Sequence, residues 1–214
     1  MIFFDLDGPI LNVSKRYYNI YRDILIKNEC FYIQDEIYWL LKRNKVSEKL
    51  IFSMTNPSMS YGNYNKERKK RIEASSYLAL DYVQPKIIEI LSCMVKKYSL
   101  VLITLRKSKH QLYTQLKNLN IENYFKDILT SNYTYKLRWK IKYDLIKNYL
   151  KNKFDRHIII SDTETDIKTG NSLGFTTIAV TNGIRTLEIL LESKPDFTYP
   201  SIVEFFYFFE DKNI

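Results

Sequence analysis

Short apolar runs and helical stripes alternate along most of this chain, and the exceptions are grouped in one place. Ile2-Phe3-Phe4 opens the sequence and runs into Asp5-Leu6-Asp7-Gly8. A continuous apolar run of this kind predicts a strand buried on both faces in a parallel sheet. Similar runs predict strands at residues 100–104, 128–130, 157–161, 175–180 and 196–199. Between them, apolar positions recur at three- and four-residue spacing, which predicts helices over residues 86–97, 109–119 and 141–151. A further helix closes at Leu173-Gly174, glycine being the favoured residue just past a helix end. The last begins at Ser201, which has capping-box spacing to Glu204. Strands alternating with helices imply an α/β, doubly wound parallel sheet.

Residues 14–83 interrupt that rhythm. Asn12 or Ser14 is placed to cap a helix from Lys15 to Lys27. Helical segments follow over residues 33–42 and 46–54, then a loop over 55–63, and the basic run that follows opens a helix reaching about Tyr82. No convincing strand falls here. The expected organisation is a core made of residues 1–13 and 84–214, with an all-helical cap, residues 14–83, inserted after the first strand.

The chemistry sits where apolar runs end. Asp5 and Asp7 are two positions apart, so at a strand end both reach one point. Two buried carboxylates that close need a cation, a shared proton or both. Gly8 lets the backbone turn and approach a ligand. Thr104, followed by Leu105 and Arg106, closes a second run, and Asp162, with Asp166 four residues on, closes a third. Open α/β sheets bind ligands at the carboxyl ends of their strands. A phosphate bound there needs a fixed cation. Lys142 shares a stripe with Leu145, Ile146 and Tyr149 and is the best candidate, with Lys140 as runner-up. Lys136 and Lys147 fall off that stripe.

Composition narrows the partners. Two cysteines and two histidines give no disulfide framework and no histidine zinc centre. No apolar stretch approaches the roughly 18 residues of a membrane span, and no leader precedes the first strand, so a soluble, cytoplasmic protein is expected. A net charge of +9 invites a nucleic-acid reading. The chain is, however, rich in Lys, Ile, Asn and Tyr together, as an AT-rich coding sequence would make it. Its one concentrated basic run, residues 65–71, reads as a solvated helix face. No nucleic acid is expected, and a positive rim would attract an anionic substrate.

Taken together, these segments resemble the four signature motifs of the haloacid dehalogenase-like superfamily, in its phosphoglycolate-phosphatase-like branch. Asp5-Leu6-Asp7-Gly8 matches the first and Leu102-Ile103-Thr104-Leu105-Arg106 the second. The third is resembled by residues 139–146, with Lys142 in the lysine position, and the fourth by Ser161-Asp162-Thr163-Glu164-Thr165-Asp166-Ile167. Residues 173–185 and Pro195-Asp196 fit the ending of that branch.

The resemblance implies a Rossmann-like core and a Mg2+-dependent phosphatase acting on a small phosphorylated metabolite, as monomer or homodimer. Asp5 would be the nucleophile, and Asp7 the acid and base. Mg2+ would be held by Asp5, the Asp7 carbonyl and Asp162, with Asp166 in support. Gly8, Thr104, Leu105, Arg106 and Lys142 would hold the phosphoryl group. Arg16, Tyr17, Tyr21 and the loop near Tyr61 would set specificity from the cap. A sugar-phosphate mutase on the same site is the alternative; a basic nucleic-acid or partner-binding module with a vestigial site is a more distant one. The chain departs from the family pattern at Pro9, where Thr is usual, and at Ser161, where Gly is usual. Ser161 is expected to tighten or crowd the metal site.

Overall fold

The computed structural model describes residues 1–131, 137–151 and 156–211. Its central strand is the first. β1 (Ile2–Phe4) is buried at every position, because Phe3 and Phe4 must both leave water on opposite faces. Phe3 packs with Val101, Ile103, Ile146, Ile159 and Phe175, while Phe4 meets Phe125 on the other side. Burying one such side chain stabilises the fold by about 2–3 kcal/mol.

In chain order the elements continue with β2 (Leu11–Asn12), α1 (Ser14–Lys27), α2 (Asp35–Arg43), α3 (Glu48–Ser53), α4 (Tyr61–Arg71), α5 (Ser75–Leu78) and β3 (Tyr82–Val83). Strand–helix alternation follows, with α6 (Ile87–Met94), β4 (Leu100–Ile103), α7 (Lys109–Asn118), β5 (Asp127–Leu129), α8 (Arg138–Leu150), β6 (Ile158–Ser161) and α9 (Glu164–Leu173). The chain closes with β7 (Thr176–Val180), α10 (Leu187–Leu191), β8 (Phe197–Tyr199) and α11 (Ile202–Asp211).

Six strands form one parallel sheet in the order β5-β4-β1-β6-β7-β8. The order reverses direction at β1, which lies between β4 and β6 with Phe4 opposite Leu102 and Ile160. The carboxyl ends of β1, β4 and β6 are therefore neighbours. This is the doubly wound α/β sheet that the apolar runs predicted.

The chain divides into two compact units, residues 1–12 with 83–214, and residues 13–82. The second unit is helical and has a tyrosine-rich interior: Tyr18, Tyr21, Tyr38 and Tyr64 pack with Ile20, Ile24, Leu25, Ile51 and Phe52. Local expectations there need correction. Neither Asn12 nor Ser14 caps α1, whose N-cap is Val13 with no side-chain hydrogen bond. α4 begins at Tyr61, inside the expected loop, because the Ser60 hydroxyl accepts the N–H of Asn63 and Tyr64 is driven into the interior. It stops at Arg71, and the short α5 and the strand β3 follow.

The specificity role expected for Arg16 and Tyr21 gives way to a structural one. Arg16 is buried, 3.1 Å from Asp81, and donates to the Ile72 carbonyl. Tyr21 is fully buried against Tyr38 and accepts the N–H of Ile33. Tyr17 and Tyr61 are half-buried, Tyr17 beneath the Lys42 ammonium and Tyr61 against Phe52 and Tyr64.

Candidate active site

Four segments of the first unit converge at the carboxyl edge of the sheet. β1 delivers Asp5, whose N–H donates to the Ile160 carbonyl and so continues the ladder to β6. The chain then turns at Gly8, with φ +115°, the Gly8 N–H donating to Leu11. β4 delivers Thr104, tied to β5 through the Leu129 carbonyl, and the Thr104 hydroxyl accepts the N–H of Arg106 at 3.4 Å. β6 delivers Ser161 and Asp162, and α9 returns Asp166. α8 delivers Lys142 on its buried stripe with Ile141, Ile146 and Leu150.

Lys142 joins the acidic groups. Its Nζ lies 2.9 Å from Asp5 Oδ1 and also donates to Asp166 Oδ1. Lys140, by contrast, is exposed and rests over the Trp139 ring. Lys147 lies over Tyr143, and Lys136 falls outside the described residues. Arg106 grips the other carboxylate of the first motif: its Nε donates to Asp7 Oδ2 at 2.9 Å and its Nη2 donates to Asp7 Oδ1. A planar guanidinium held at two points fixes the orientation of Asp7.

Asp162, like Asp166, has no exposed surface. One oxygen, Oδ2, accepts the N–H of Ile184. The space around it is kept open by two glycines. A Cβ on Gly8 would stand 1.8 Å from Asp162 Oδ2, and one on Gly183 would stand 2.0 Å from it. The other oxygen, Oδ1, is buried and has no hydrogen-bond partner among the described residues.

Charge is under-compensated here. Burial first, and the neighbouring Asp166 charge second, push the Asp5 carboxyl up to about 7 against the opposing pull of Lys142. Burial and the Asp5 charge likewise raise Asp162 well above the ordinary carboxylate range. Burial alone would lower Lys142, but the charges of Asp166 and Asp5 outweigh it and raise its pKa. One buried ammonium therefore serves two acids while, among the described residues, Asp162 has a backbone N–H.

The donor set fits a hard divalent cation. An orphaned carboxylate oxygen beside a second, strained carboxylate is what an oxygen-only site presents when its charge is missing. Among the described residues no group of three His, Cys, Asp or Glu side chains is placed to hold a metal ion by itself. Two carboxylates suffice where backbone, water and substrate oxygens complete an octahedral shell. Asp166 stands apart from Asp162 in this respect: Lys142 engages its Oδ1, and the hydroxyls of Ser161 and Thr163 both donate to its Oδ2 at 2.8 Å.

Sequence reasoning did not anticipate the Arg106–Asp7 clamp, the Ile184 N–H or the steric need for Gly183. Nor did it place the Ser161 hydroxyl on Asp166. In the sequence Gly183 reads only as part of the segment 173–185, and its closeness to Asp162 depends on folding.

Fold and site define a doubly wound α/β protein with its acids at the switch point of the sheet. A family model for haloacid dehalogenase-like hydrolases matches residues 2–180. The chain belongs to that family. Among solved structures, a haloacid dehalogenase-like hydrolase from Streptococcus pneumoniae superposes with a TM-score of 0.78 at 21% identity, covering 97% of each chain. A predicted phosphoglycolate phosphatase from Haemophilus somnus gives 0.75 at 16% identity over 97% of this chain and 96% of that one. A predicted phosphatase from Clostridium acetobutylicum gives 0.73 at 18% identity over 98% and 97%. No curated protein matches the chain. Among the described residues, no helix is long and apolar enough to cross a membrane.

Proposed function

We propose that the protein is a Mg2+-dependent phosphatase that hydrolyses a small-molecule phosphomonoester through an aspartyl-phosphate at Asp5. The observation that carries this reading is the pairing of Asp5 with Lys142, beside an Asp162 whose Oδ1 is buried and unpartnered among the described residues.

Each residue has a role that its surroundings suit. Asp5 attacks phosphorus with Oδ2, the oxygen that Lys142 does not engage. Lys142 and the amides after Thr104 neutralise charge on the phosphoryl oxygens as it spreads in the transition state. Asp7 protonates the leaving oxygen and then takes a proton from the water that hydrolyses the acyl-phosphate. Arg106 holds Asp7 to one orientation throughout. Asp5, Asp162 and the Asp7 carbonyl would hold Mg2+, which when bound supplies the positive charge that this acidic cluster lacks.

The test is phosphate release from a panel of phosphomonoesters, with Mg2+ and with chelator. Asp5→Asn is expected to lose at least about 10³-fold in kcat while remaining folded, because it removes the attacking group. Chelator-resistant release surviving in Asp5→Asn would contradict the mechanism. A rearranged sugar phosphate in place of free phosphate would turn the reading to a mutase.

A further inference from the structure

We infer that Ser161 is a positioning residue of this site, acting through Asp166 to hold Lys142 against the nucleophile; the inference rests on the phosphatase reading above. Ser161 is the last residue of β6 and is fully buried. Its side chain was expected to tighten or crowd the metal site. Instead Oγ points to α9 and is used twice: it donates to Asp166 Oδ2 at 2.8 Å and accepts the N–H of Thr163 at 3.2 Å. A buried hydroxyl that both donates and accepts is satisfied and fixed in direction.

The consequence lies at the far side of Asp166. A carboxylate swings about its Cβ–Cγ bond unless more than one point restrains it. Here Oδ2 is held by two hydroxyls, of Ser161 and of Thr163. The orientation of Oδ1 is then set, and Oδ1 is the atom that receives Lys142. Lys142 in turn reaches Asp5 Oδ1 at 2.9 Å. A continuous chain of short polar contacts thus runs from the end of β6 to the attacking carboxylate. Glycine at position 161 would leave Thr163 as the lone hydroxyl on Oδ2 and remove one of the three contacts that hold Asp166.

A double-mutant cycle separates this role from a merely structural one. The variants are Ser161→Ala, Lys142→Met and the pair, with Lys142→Gln in place of Lys142→Met if that variant does not fold. The probe is p-nitrophenyl phosphate with Mg2+, and melting is followed in parallel. Ser161→Ala is expected to lose roughly 10-fold in kcat, the factor that one lost hydrogen bond to a charged group corresponds to, with KM and the melting temperature little changed. In the Lys142 variant it is expected to cost no more than about 2-fold, because the group it positions is gone. The same loss in both backgrounds, or full activity of Ser161→Ala beside an active wild type, overturns the inference alone.

A wild type silent on every ester counts against the phosphatase reading instead. Inorganic phosphate binding, followed by calorimetry, then carries the same cycle without turnover. Binding weakened roughly 10-fold by Ser161→Ala only when Lys142 is present supports the inference. Equal affinities for wild type and Ser161→Ala overturn it.

Discussion

Each of the two units buries carboxylates, and the two treatments are opposite. In the helical unit Glu48 accepts the Tyr64 hydroxyl at 2.6 Å, the Lys42 ammonium at 2.9 Å and the Tyr38 hydroxyl at 3.3 Å. Burial works to raise its pKa, but Lys42 and those donors outweigh it and leave the carboxyl below its ordinary value. At the sheet edge, burial wins. Asp5 and Asp162 are raised, and Asp162 Oδ1 has no donor among the described residues. A buried acid with its partners supplied is architecture; one left short of positive charge is a place for a ligand to bind.

The comparison is broken most severely by removing the satisfied acid. Glu48→Ala leaves Lys42 and two tyrosine hydroxyls without their common acceptor, and is expected to cost about 3 kcal/mol in urea unfolding. Asp162→Asn should act in the opposite direction. It removes a carboxylate whose charge burial and Asp5 disfavour, so stability without Mg2+ is expected to rise by about 1 kcal/mol, while Mg2+ binding is lost. A metal-free Asp162→Asn protein less stable than wild type would mean that this carboxylate is compensated by its surroundings after all.

The smallest effect is a slope. The Asp5 carboxyl titrates at about 7 in the folded chain, against about 4 when unfolded. Between those values the folded state carries the extra proton. The stability of the metal-free protein should therefore fall as pH rises from about 4 to about 7 and level off above. Asp162, raised by burial, contributes in the same direction. Glu48 behaves inversely, its lowered pKa giving stability that is lost only as pH falls below about 4. Chemical denaturation at several pH values with chelator present measures the slope. A flat profile across the Asp5 window would place that carboxyl in the ordinary range.

Much of the sheet was legible in the sequence, because an apolar run that stops at Asp, Thr or Ser marks both a strand and its functional end. Lys142 was legible for the same kind of reason: a lysine on a buried helical stripe needs an anion. The helical unit was read less well. Gly62 and Asn63 looked like loop because they are weak helix formers, yet the Ser60 cap and the burial of Tyr64 carry the helix through them. Arg16 and Tyr21 suggested specificity by their place in the cap alone, which does not say that both side chains are buried there. Arg106 on Asp7 and Ser161 on Asp166 were out of reach, because these contacts depend on which neighbours the fold supplies and not on local pattern.

Divalent-cation binding at the sheet edge is tested most directly by titrating Mg2+ into chelator-treated protein by calorimetry near pH 6, in two buffers of different ionisation heat. Binding accompanied by proton release is expected, because the cation displaces the proton that Asp5 carries below about 7, and the signal should vanish in Asp162→Asn. Absence of binding in the wild type, or binding that Asp162→Asn leaves unchanged, would contradict the account.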